Sequence, residues 1–188
     1  MEIWIYFEGK STLRLGFDNF FSQLRELARQ NEVTLRFFAA KDGPRDFEKA
    51  PRRHPGALVL LLKDSEQPFS DPAKLCQLNG IDPKLTAKVF WMVESMESWF
   101  LADPEALARY YGDGFSHKVI GQPANVEAIP KSEVFRRLKS ATANTTKGAY
   151  DKVKHAPDLL SKLDPELVQK RAEYCRKLFE AVIQKIRQ

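Results

Sequence analysis

Acidic residues stand at three places in this sequence where a run of apolar residues stops. Glu8-Gly9 follows IWIYF, Asp64-Ser65-Glu66 follows ALVLLLK, and Glu94-Ser95-Met96-Glu97 closes on KVFWMV. The runs are rich in β-branched and aromatic residues and read as strands. In an open α/β sheet, ligands bind outside the carboxyl ends of the strands. Carboxylates gathered there raise one another's pKa unless a cation neutralises them. An all-oxygen donor set suits magnesium or manganese, which serve phosphoryl chemistry by neutralising charge on the transferring group and activating a water. The candidate ligands are Glu8, Asp64, Glu66, Glu94 and Glu97. The last two stand three apart, so one helical turn brings both to the same site.

Basic residues supply the complementary half. Residues 116–155 hold eight Lys and Arg against three acids, which equals the net +5 of the whole chain. A local positive field of this kind suits a phosphate backbone. Within it, Lys147-Gly148-Ala149-Tyr150-Asp151-Lys152 follows a run of small polar residues. Its glycine permits close backbone approach, and Lys147, Tyr150 and Lys152 offer phosphate donors. With Lys131, Arg136, Lys139 and His155 it is expected to form a groove beside the acids. The alternative is a helix start with a solvated basic face. Gly9-Lys10-Ser11-Thr12 imitates the end of a P-loop, but the first glycine of that pattern falls at Trp4, inside a strand. Only Lys10 is kept, as a phosphate contact.

Other chemistries lack their residues. His54 and His117 show no metal spacing, and there is no G-x-S-x-G elbow or G-x-G-x-x-G turn. Cys76 and Cys175 lie in no CxxC pair, so a disulfide framework and a zinc cluster are excluded.

Four strands are read, at residues 3–7, 33–39, 57–62 and 88–93, and the first, third and fourth deliver the acids. Helices at 17–30 and 44–53 alternate with them, which predicts a mostly parallel sheet with helices on both faces. After residue 110 the long apolar runs stop. Asp103-Pro104-Glu105 and Asp164-Pro165-Glu166 each place an N-cap acid before a first-turn proline, and the last helix is expected to run over 165–186. Residues 112–125 and 140–148 read as long loops, while Trp99 and Phe100 read as core. At 188 residues, 43% apolar and 29% charged, the chain reads as one domain, with an α/β core at 1–110 and a basic loop and helical extension at 111–188. No stretch approaches the ~18 apolar residues of a membrane span, and the opening MEIWIYFEG has no basic region ahead of an apolar run. The expected setting is cytoplasmic, without a membrane partner.

Glu8-Gly9 and Asp64-Ser65-Glu66 resemble the two acidic motifs of the Toprim fold, an EG turn and a DxD or DxE pair. That fold is shared by topoisomerases, primases and nucleases of overcoming-lysogenization-defect type. More closely, the chain resembles a bacterial family known as domain of unknown function 4276. Residues 96–103 (MESWFLAD), 125–131 (NVEAIPK) and 147–152 (KGAYDK) carry that likeness, which runs over almost the whole chain. The resemblance implies a Toprim-like sheet with a helical C-terminal half, and a metal-dependent nuclease site. In it Glu8 is general acid or base, and Asp64 and Glu66 hold magnesium or manganese. It also implies a nucleic-acid partner, DNA before RNA, and a separate ATPase in an anti-phage setting. The chain departs from the pattern where Toprim nucleases often carry another acid, because Lys10, Ser11 and Thr12 stand there. One metal, or a second held by Glu94 and Glu97, is left open. The same departure supports a different class, a nucleic-acid-binding or regulatory subunit of an ATPase complex. A nucleotidyl transferase shares the acid site and is distinguished by consuming nucleotides.

Overall fold

The computed structural model describes residues 1–69 and 71–188. Strands β1 (Glu2–Glu8), β2 (Thr34–Ala40), β3 (Leu58–Asp64) and β4 (Val89–Met92) form a parallel sheet in the order β2-β1-β3-β4. Each lies within two residues of the apolar run that predicts it.

From β1 the chain passes through α1 (Leu13–Phe20) and α2 (Ser22–Gln30) to the edge strand β2, then returns through α3 (Gly43–Arg53) to β3. Helix α4 (Pro72–Leu78) and a 3-10 turn lead on to β4. Ile5, Phe7, Leu60, Leu62 and Met92 point to the face covered by α1 and α2 and by two later helices. Tyr6, Val59, Leu61 and Trp91 point to the face covered by α3 and α4. The connections leaving the neighbouring strands β1 and β3 therefore run on opposite faces. Their carboxyl ends form the crevice where such folds bind ligands.

The second half is helical: α5 (Pro104–Tyr111), α6 (His117–Ile120), α7 (Lys131–Thr142), α8 (Lys152–Leu160), α9 (Pro165–Arg171) and α10 (Glu173–Ile186). Both expected N-caps form, Asp103 accepting from the Ala106 N–H and Asp164 from the Glu166 N–H. Asp103 is buried, and its second oxygen accepts from the Asp164 N–H at 2.9 Å, so one carboxylate ties the two helix starts together.

Four expectations are corrected. The helix at 17–30 is two, broken at Phe21, and the step turns the successive residues Phe20 and Phe21 into one aromatic cluster with Phe17, Phe37, Trp99 and Phe179. The terminal helix is also two, because the Glu127 carboxylate accepts from the Tyr174 N–H at 3.0 Å and starts α10 afresh after Ala172. Helix α7 runs on into the supposed loop at 140–148, and α6 occupies part of the loop at 112–125. The segment at 96–102 is a 3-10 helix, and Trp99 and Phe100 are wholly buried, as expected of core.

Candidate active site

Three strand ends are shaped by local chemistry. At β1, Gly9 turns with φ 139°, and a Cβ there would stand 2.8 Å from Leu13 Cδ1. At β3 and β4 the chain is locked through buried Ser65. Its N–H donates to the Met92 carbonyl at 3.0 Å, and its hydroxyl oxygen accepts from the Glu94 N–H at 2.8 Å. The Glu66 N–H donates to the Glu94 carbonyl at 3.2 Å. Glu66 and Glu94 both sit in the left-handed region, at φ 60° and 54°. That conformation costs a non-glycine residue about 1–3 kcal/mol, and such strain clusters at functional sites. Glycine at either position would relieve it, yet carboxylates stand at both.

Each acid meets a lysine or a buried donor. Lys63, enclosed at the end of β3, is ion-paired with Glu8. Lys131 is ion-paired with Glu66, and its backbone N–H donates to Glu94 Oε2 at 2.5 Å. Lys152 Nζ lies 3.2 Å from Glu97 Oε1 and 3.8 Å from Asp64 Oδ2. Glu97 is wholly buried, and Oε1 also accepts from the Tyr150 hydroxyl at 3.2 Å, while Oε2 has no partner among the described residues. Asp64 Oδ1 accepts from the Met96 N–H at 2.8 Å. Burial pushes the Asp64 carboxyl up to about 7, with Glu97 and Glu66 acting in the same sense and Lys152 against it. Burial opposes the charge on Lys152, but Glu97 and Asp64 outweigh it and hold its pKa above the ordinary value.

Between the strand ends and α8 lies a cleft of about 220 Å³. Its lining combines the charged Glu8, Lys10, Asp64, Glu66 and Lys152 with the apolar Leu13, Met92, Met96, Val153 and Pro157.

The model of the family described as domain of unknown function (DUF4276) matches residues 7–183. The chain belongs to the DUF4276 family. No curated protein matches it. Among solved structures it resembles the C-terminal region of the Burkholderia pseudomallei OLD protein, with a TM-score of 0.52 and 10% identity over 97% of this chain and 98% of that one. The likeness shows a Toprim-like α/β fold, as the acidic motifs imply.

Within this DUF4276 fold, Glu8, Lys10, Asp64, Glu66 and Lys152 meet in the cleft. Glu94 and Lys131 join through the contacts at Glu66, and Glu97 lies behind Lys152. Arg136, Lys139 and Lys147 are exposed and do not line it. Arg136 is engaged with Glu133 at 2.6 Å, and Lys147 lies over the Tyr110 ring at 4.9 Å. Tyr150, expected to face phosphate, is buried, because its hydroxyl is spent on Glu97. His155 is buried too, its Nδ1 accepting from the Asp151 N–H at 3.0 Å. The residue that sequence reasoning missed is Lys63. Its signal was a lone charge closing an otherwise unbroken apolar strand.

Among the described residues no three acidic, histidine or cysteine side chains are grouped so as to hold a metal ion, and lysines are ion-paired with the carboxylates. The donor chemistry nevertheless fits a hard divalent cation. The acids offer only oxygen, Glu97 keeps a buried oxygen unpartnered among the described residues, and Asp64 is pushed toward its neutral form by burial first and then by the neighbouring carboxylates, whose charge a cation would offset.

Proposed function

We propose that this protein is a metal-dependent phosphodiester hydrolase acting on nucleic acid, with DNA as the favoured substrate. The observation that carries the reading is the buried pair Asp64 and Glu97, bridged by Lys152 at a Toprim-like strand edge and left with an orphan oxygen. Asp64, Glu97 and Glu66 would hold magnesium or manganese, with Glu94 supporting Glu66 across the strand ends. The ion, when bound, neutralises charge on the phosphoryl group and lowers the pKa of water. Glu8, expected also as a ligand, is assigned the proton instead, in keeping with the general acid or base role that the Toprim resemblance implies, with Lys63 as its ion-pair partner. It accepts the proton of the attacking water as the new P–O bond forms. Lys152 and Lys10, both at the cleft, take the phosphate oxygens and the charge released with the departing oxygen. Arg136, Lys139 and Lys147 lie outside and serve the flanking backbone.

The OLD likeness supports the further proposal that a separate ATPase controls this site in an anti-phage setting. Among the described residues no helix is long and apolar enough to cross a membrane.

The test is cleavage of supercoiled plasmid and of single-stranded DNA and RNA with magnesium, manganese or EDTA. Cutting is expected only with metal, and Glu8→Ala and Asp64→Asn are each expected to lower the rate about 10²–10⁴-fold, the usual weight of a positioned acid or base. The alternative, a binding subunit without catalysis, is favoured by the absence of an acid at residues 10–12. It predicts metal-independent DNA binding and no cutting with any ion.

A further inference from the structure

The cleft at the strand ends has more in its lining than a phosphate site requires. A site that grips only a nucleic-acid backbone is built from Lys, Arg, polar side chains and backbone N–H groups. This one adds Leu13, Met92, Met96, Val153 and Pro157 to its charged residues. Leu13, Met92 and Met96 are buried, whereas Val153 is 59% exposed, so the apolar lining runs from the interior to the cleft mouth. Helix α8 builds the outer part. Val153 directly follows Lys152, and Pro157 stands four residues further on, which puts the two on one helix face. The thioethers behind them adapt readily to flat aromatic rings.

Pro157 also leaves an acceptor. It lies inside α8 and has no N–H, so the Val153 carbonyl is denied its helical donor from four residues on. A backbone oxygen without its usual partner therefore lies between two lining residues. Apolar surface with one acceptor suits a nucleobase, which has flat faces and an N–H donor on its pairing edge. In a duplex the faces are stacked and the edge is paired, and a base reaches a pocket only when it leaves the stack. The size agrees. At about 220 Å³ the cleft is smaller than the about 300–1,000 Å³ of pockets for drug-sized ligands, so it admits one base and no paired stack.

Resting on the nuclease reading for the phosphate, we infer that the cleft takes one unpaired nucleotide of a DNA strand. The base lies against Val153 and Pro157, and the adjoining phosphate is met by Lys152 and Lys10. The substrate is accordingly single-stranded or locally unpaired DNA, and Val153 is a binding residue for the base.

The test compares two short strands of equal length and charge, oligothymidylate and its fully abasic counterpart. Binding to the full chain is read by fluorescence anisotropy in EDTA. Oligothymidylate is expected to bind about tenfold more tightly, the effect of covering a base with apolar surface. Val153→Ser, at an exposed position, is expected to lower that preference about three- to tenfold while the abasic strand binds as before. With magnesium or manganese, the single strand is expected to be cut about tenfold faster than the same sequence in a linear duplex, where the base must first be unpaired. Equal affinity for the two strands, a preference that Val153→Ser leaves intact, or faster cutting of the duplex overturns the inference, and metal-dependent cutting would still uphold the nuclease reading. A base preference that Val153→Ser removes, with no cutting by either ion, overturns the nuclease reading alone. No binding of either strand and no cutting removes both.

Discussion

At the scale of single residues the site is a set of charges held in tension, and Asp64 is where that tension is measurable. Burial lifts its carboxyl from 3.8 to about 7. Between those values the folded chain binds more protons than the unfolded one, so stability falls as pH rises through the window and levels off above 7. About three pKa units set an upper figure of about 4 kcal/mol. For a chain of this size each kcal/mol is about 2–4 °C of melting temperature. Asp64→Asn in EDTA is therefore expected to melt several degrees above wild type at pH 8 and level with it at pH 4. Equal slopes in the two proteins would show that the buried carboxyl does not carry the pH dependence. Magnesium is expected to stabilise the wild type more at pH 8 than at pH 6, since a ligand carboxylate must be ionised to bind.

At the scale of elements, the placement of Lys152 depends on how closely α8 crosses α1. Gly16 makes that crossing possible, because a Cβ there would lie 2.8 Å from the Pro157 carbonyl oxygen and 3.1 Å from Leu160 Cβ. Alanine adds about 1 kcal/mol of helix propensity, but a backbone carbonyl yields little, and overpacking of this kind costs about 1–3 kcal/mol. Gly16→Ala is expected to lower the melting temperature and to reduce kcat, as α8 shifts Lys152 away from Glu97. Unchanged kcat would free the site from that crossing. Elements of this sort show what was legible in advance. The strands and their terminal acids stood out because unbroken apolar runs ending in carboxylates have few other readings. The breaks at Phe21 and Ala172 did not, since each is imposed by a distant partner, the aromatic cluster in one case and the Glu127 carboxylate in the other. Tyr150 and Lys63 were hidden for a related reason. Composition places tyrosine in a basic segment at the surface and gives a strand lysine no partner, whereas tertiary pairing buries the first on Glu97 and the second on Glu8.

At the scale of the molecule, the residues proposed for catalysis and those proposed for capture are physically separate. The acids and Lys152 converge at the sheet edge, while Arg136 and Lys139 stand on the exposed face of α7, outside the cleft. Charge placed there can lengthen the stay of a polyanion without touching the reacting phosphate. Arg136→Ala with Lys139→Ala is therefore expected to raise KM for DNA while leaving kcat within about twofold. Lys152→Ala is expected to do the opposite, lowering kcat with a smaller effect on KM. The two sets also differ in salt dependence, because each phosphate contact contributes about 0.9 to the slope of log affinity against log salt. Loss of Arg136 and Lys139 is expected to flatten that slope by about 2, measured by fluorescence anisotropy in EDTA, where cutting cannot intervene. An unchanged slope would return the α7 charges to solvent and leave the cleft lysines as the whole of the nucleic-acid contact. A slope that flattens while kcat holds would make α7 a tether, so that the turnover of a bound strand is set by the acids and lysines at the sheet edge alone.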